Sequence, residues 1–83
     1  MIEAIEEKNG KESVSYVVSS VDRALEILLT LAERPDRGVT ELADATGNTK
    51  SLTFRLLHTL QRRGMVHKDP DRRTYALGYR ALL

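Results

Sequence analysis

The chain has no cysteine and no tryptophan, and only one phenylalanine and three tyrosines among its 83 residues. Without cysteine there is no disulfide staple, no cysteine-ligated zinc and no thiol nucleophile, which fits a cytoplasmic location. So few aromatics leave no platform for stacking unpaired bases, which argues against single-stranded RNA as a partner. No apolar run approaches the roughly 20 residues of a membrane span. The polar, acidic opening MIEAIEEKNGKES does not have the pattern of a signal peptide. There is no Gly-rich phosphate loop, and no serine stands in a Gly-x-Ser-x-Gly setting or beside an evident base. The two histidines, His58 and His67, have no acidic or histidine neighbours at ligand spacing, so neither a metal nor a cofactor is expected. His67 reads as a structural strand residue. An enzyme or enzyme fragment finds no support in these residues.

What the chain does contain is concentrated between Val39 and Gly64, in VTELADATGNTKSLTFRLLHTLQRRG. Thr40 is placed to cap a short helix over Glu41–Thr46, and Gly47 to end it in a left-handed conformation. Asn48 and Thr49 offer a second N-cap, after which the apolar period resumes at Thr53, Leu56, Leu57 and Leu60. A short helix, a glycine turn and a longer helix form a helix-turn-helix pattern, whose second helix is shaped to enter the DNA major groove.

The flanking segments complete a small domain. Residues 1–15 are charged, carry Asn9-Gly10 and lack an apolar period, so a flexible tail is expected. Val17 or Val18 would staple onto a first helix capped by Ser19 or Ser20, with Ser19 and Asp22 as a capping-box pair. Val21, Ala24, Leu25, Leu28, Leu31 and Ala32 mark its buried face, and Pro35 stops it near Arg34. Asp36-Arg37-Gly38 reads as a turn, with a very short strand at Val39. Beyond Gly64, Met65–Lys68 and Thr74–Leu77 read as two strands joined by Asp69-Pro70-Asp71-Arg72-Arg73, a basic hairpin. The expected fold is α+β: a winged helix-turn-helix of three helices and an antiparallel β-hairpin wing, spanning residues 16–78.

Charge is unevenly divided. Residues 1–47 hold ten acids and five bases, whereas residues 48–83 hold eight bases and two acids, and no acid occurs from Asn48 to Lys68. On a helical wheel Ser51, Arg55, His58 and Arg62 form a stripe opposite the leucines, flanked by Lys50, Phe54 and Thr59. Arginine can pair bidentately with guanine and serine can bond either way, while phenylalanine can pack on a thymine methyl or a sugar. Thr49, Lys50 and the helix N-terminus suit phosphate, as do Arg62 and the wing residues Arg72 and Arg73. A solvated helix face chosen for solubility would mix glutamates with its arginines, and this face has none.

From Ser19 to Leu83 the chain resembles the N-terminal DNA-binding domain of IclR-type transcriptional regulators. The residues that carry the resemblance are Ser20–Leu28, Thr40–Ala43, Thr46-Gly47, Lys50-Ser51, Arg55–Leu57, Thr59-Leu60, Gly64–Val66 and Tyr75–Gly78. Three positions depart from it: Thr49 stands where proline is common, Thr53 where a β-branched aliphatic is common, and Leu52 at a usually polar site. The resemblance implies a repressor or activator that binds palindromic double-stranded DNA as a homodimer paired through its first helix. It also implies that residues 79–83 open a linker helix toward a larger metabolite-binding domain. The pairing in this chain alone is expected to be weak, and no small-molecule pocket is expected within it. A winged helix that binds protein rather than specific DNA is the alternative.

Overall fold

The structure, a computed structural model, describes residues 16–83; the expected flexible tail over 1–15 lies outside the described residues. Helices α1 (Ser19–Glu33), α2 (Val39–Thr46) and α3 (Lys50–Arg62) are followed by strands β1 (Val66–Asp69) and β2 (Thr74–Leu77). A 3₁₀ turn over Tyr79–Leu82 occupies the segment assigned from sequence to the start of a linker helix. This is the three-helix, two-strand arrangement of a winged helix-turn-helix. No helix among the described residues is long and apolar enough to cross a membrane.

The start of α1 differs from the sequence expectation. Val18 is the N-cap, in extended conformation and without a side-chain bond. Ser19 Oγ instead accepts from Arg23 Nε at 3.1 Å, so the hydroxyl serves a guanidinium rather than the helix end. Val17 and Val18 are exposed and staple nothing to the core. The buried line is Ile27 and Leu31, with Leu28 packed against it. Val21 and Leu25, assigned to the core by their period, are more than half exposed, together with Leu29, and Ala32 is exposed as well. The helix carries two apolar stripes, and the one containing Ile27 faces the other elements.

Helix α2 begins two residues earlier than expected. Gly38, not Thr40, is its N-cap. The Glu41 carboxylate accepts from Gly38 N–H at 3.1 Å and from Arg37 Nη1 at 3.2 Å, which is the half of a capping box that a glycine permits. The short strand expected at Val39 is instead a single bridge between Arg37 and Tyr75. Tyr75 N–H donates to Arg37 O at 2.8 Å, and Asp36 N–H donates back to Tyr75 O at 2.9 Å. Gly47 closes α2 with φ 71°, a left-handed conformation that glycine adopts without steric cost. Of the two caps expected for α3, Asn48 and Thr49, it is Thr49 that serves, its Oγ1 accepting from Leu52 N–H at 3.1 Å.

One apolar cluster joins every layer: Ile27 and Leu31 from α1, Leu42 from α2, Leu57 from α3, Val66 from β1 and Tyr75 from β2. Thr53 is also fully buried. Its hydroxyl donates to Thr49 O at 2.8 Å, so the polar group is satisfied inside the helix and the methyl is left to pack. The hairpin is antiparallel, with Val66 opposite Leu77 and Asp69 opposite Thr74. Asp69 organises its tip: Oδ1 accepts from Asp71 N–H at 3.0 Å and from Arg72 N–H at 3.2 Å, and its carbonyl accepts from Arg73 N–H at 2.8 Å.

The root of the hairpin is a close backbone joint. Gly78 N–H donates to Met65 O at 2.8 Å. A Cβ on Gly78 would collide with the Gly64 carbonyl oxygen and stand 3.0 Å from Val66 N. Gly78→Ala should therefore destabilise the domain by about 1–3 kcal/mol, the usual cost of an overpacked contact, seen as a melting temperature lowered by several degrees. An unchanged melt would show that the joint relaxes freely. Glu41 generates a second test. The Gly38 N–H, and then Arg37, hold its carboxyl below the ordinary value of 4.5. The folded state thus favours the ionised form, and the associated stability is present above the ordinary value and lost as pH falls through the lowered one. Melts of wild type and Glu41→Gln should differ by a constant amount near neutrality, and the gap should close in acid below pH 4.5. A gap that widened in acid would contradict the assignment.

Candidate nucleic-acid interface

Helix α3 packs one face on the core through Thr53 and Leu57, with Leu56 and Leu60 partly buried beside them. This fixes what the opposite face presents. Lys50, Ser51, Phe54, Arg55, His58, Thr59 and Arg62 are all exposed, in the order expected from the wheel. Leu52 is half-buried at the edge. Phe54 is 50% exposed, and its ring stacks on that of His58 one turn later, at 6.3 Å between centroids and 22° between planes. The two rings form an aromatic ledge between Ser51 and Arg62. Thr49 marks the start of this face and its side chain is engaged in the cap.

Two ion pairs occur among the described residues: Arg37 with Glu41 at 3.2 Å, and Arg72 with Asp69 at 4.0 Å. Lys50, Arg55, Arg62 and Arg73 form none there, so the outer face of α3 carries positive charge that no described carboxylate pairs with, and at the wing tip Arg73 is unpaired while Arg72 is matched by Asp69. Arg72 and Arg73 are exposed at the tip. Arg73 has φ 59°, a left-handed conformation that turns the chain back into β2 at a modest steric cost.

Between the first turn of α2, the Phe54 ring and the hairpin lies an open groove of about 700 Å³, lined by Gly38, Thr40, Phe54, Lys68, Arg73 and Tyr75. Lys68 was not singled out from the sequence. Its Nζ stands 5.6 Å from the centroid of the Tyr75 ring, and the two residues are direct cross-strand partners. That pairing is the signal that could have found it: once the hairpin register is set, Lys68 must lie beside Tyr75 and so at the groove. His67, read from sequence as structural, is exposed on β1, because alternation along the strand gives the buried side to Val66. No group of three His, Cys, Asp or Glu side chains among the described residues could hold a metal ion.

Comparisons agree with this geometry. The model of the IclR helix-turn-helix domain matches residues 20–70. The chain is similar to the HTH-type transcriptional regulator TsaQ1/TsaQ2 of Comamonas testosteroni, 36% identical over 72 residues that cover 87% of this chain and 26% of that protein. Among solved structures it is similar to an IclR transcriptional regulator from Alicyclobacillus acidocaldarius, with 38% identity, a TM-score of 0.72, and 76% of this chain and 26% of that one covered. It is similar also to an IclR family regulator from Brucella abortus, with 33% identity, a TM-score of 0.73, and 80% and 26% covered. The chain thus spans about a quarter of the length of these relatives. With its matched residues running from the first helix to the tip of the hairpin, the chain belongs to the IclR family of DNA-binding winged helix-turn-helix domains.

Proposed function

We propose that the chain binds specific double-stranded DNA to regulate transcription, with α3 in the major groove. The observation that carries this reading is the outer face of α3, which is exposed, free of acids and continuous with a basic wing. Ser51, Arg55 and His58 read base edges, and the ledge of Phe54 on His58 meets thymine methyls or sugars. Thr49, Lys50 and Arg62 hold phosphates along the groove, and Arg72 and Arg73 hold the adjacent backbone, with one of them reaching the minor groove. A protein-binding role for the same face is disfavoured by its charge, since the cores of protein interfaces are depleted in charged residues.

The exposed stripe of Val21, Leu25 and Leu29 on α1 is the surface we assign to a second copy of the chain on a palindromic site. It is narrow, so the free protein is mostly monomeric at low micromolar concentration and pairs when two half-sites bring the copies together.

Selection of bound sequences from random duplex DNA tests the reading, and a strong palindromic motif is the expected result. On that motif Arg55→Ala should cost about 1–3 kcal/mol and flatten the preference at one base position. Lys50→Ala should weaken all duplexes alike and lower the salt slope by about one. Equal losses on selected and random DNA for Arg55→Ala would remove it from base reading. Sedimentation with and without the palindrome checks the pairing. Leu25→Glu should abolish the two-copy complex, lower palindrome affinity about tenfold or more, and leave a single half-site bound as before. A tight dimer in free solution would overturn this account of α1.

A further inference from the structure

Arg23 lies on α1, outside both surfaces assigned above, yet its guanidinium is fastened to the start of the reading helix. Its Nε donates to Ser19 Oγ at 3.1 Å, and its Nη1 donates to Asn48 Oδ1, across to the turn between α2 and α3. Asn48 is fixed in turn by its own bonds. Its N–H donates to Ala43 O at 3.0 Å and its Nδ2 to Thr46 Oγ1 at 2.9 Å. Thr46 Oγ1 donates to Leu42 O at 2.7 Å. The next residue, Thr49, is the N-cap of α3. A chain of directional bonds thus runs from α1 through the turn to the helix that presents Lys50 and Ser51.

Two features distinguish this link from ordinary packing. First, both partners of the guanidinium are neutral oxygens, and no carboxylate among the described residues pairs with it. Its planar fork is used for geometry rather than for charge neutralisation. Second, it lies where the apolar core gives least support. The buried residues of α1 begin at Ile27 and those of α3 at Thr53. Apolar contact is non-directional and allows small rotations, so the N-terminal turns of both helices need a directional bond to share one angle.

We infer that Arg23 is a positioning residue for DNA reading: by bonding Asn48 it locks α1 to the α2–α3 turn and sets the angle at which the first turn of α3 meets the groove. The inference rests on the proposed DNA reading by α3. Because α1 also carries the stripe assigned to the second copy, the same bond fixes the distance and rotation between two reading helices on a palindrome.

The test uses this chain with Arg23→Gln, Asn48→Ala and the double variant, on the selected palindrome, on the same palindrome with its spacer changed by one base pair either way, and on random duplex DNA. Each single variant should lose about tenfold on the palindrome, keep its affinity for random duplex within about twofold, and keep its salt slope. The double variant should lose no more than either single one, and the spacer preference should flatten. Amide exchange at Leu52 and Thr53 should speed up without DNA present. A salt slope lowered by about one, with equal losses on all duplexes, would make Arg23 a phosphate contact and overturn the inference. Additive losses would overturn it, as would a variant that no longer melts cooperatively, since the bond would then hold the fold rather than the angle. If the wild type preferred no duplex, the DNA reading itself would fall. Unchanged exchange at Leu52 and Thr53 would in that case reject the link independently.

Discussion

Everything in this domain hangs on the insertion of one hairpin side chain into a helical core. Tyr75 is 2% exposed and meets Ile27, Leu31, Leu42, Leu57 and Val66 in a single cluster. Its backbone is bridged to Arg37 on the other side. A chain of this size has room for one such layer, so no element has a private core to fall back on. The wing is therefore not an appendage to three helices. Burial of Tyr75 fixes β2, the register of the hairpin fixes β1, and β1 sets where the end of α3 must lie.

The elements were legible in proportion to how one-sided their patterns are. Helix α3 has leucines on one face and polar groups on the other, and the structure buries Thr53 and Leu57 as the wheel required. Helix α1 has a second apolar stripe of nearly equal strength. Period alone could not tell Ile27, which is buried, from Val21 and Leu25, which are exposed. Caps were legible where the candidate side chain was not claimed by another partner. Thr49 and Gly47 followed their chemistry, whereas Ser19 and Thr40 lost to Val18 and Gly38, because the Ser19 oxygen was taken by Arg23 and the Glu41 carboxylate served the Gly38 amide.

The outer face of α3 could be written down from residue spacing, since exposure there follows directly from burial on the opposite side. The groove beside it could not. It is made by Phe54, Lys68 and Tyr75 from three elements, α3, β1 and β2, whose relative placement depends on the long-range Arg37–Tyr75 bridge. The Arg23–Asn48 bond was hidden for a related reason. Arg23 has no acidic counterpart to advertise the pairing, and 25 positions separate it from Asn48.

The joint between Gly64 and Gly78 carries a consequence for the DNA rather than for the protein. Backbone meets backbone there with no side chain between, which leaves the hairpin no hinge against the C-terminal end of α3. Helix α3 and the wing are thereby held close at a set span. On the proposed mode of binding, any mismatch between that span and the relaxed duplex must be absorbed by bending or by narrowing a groove. The elastic cost of doing so depends on the base steps being deformed. Selectivity would accordingly extend to base pairs lying between helix and wing that no side chain reaches, favouring steps that yield easily.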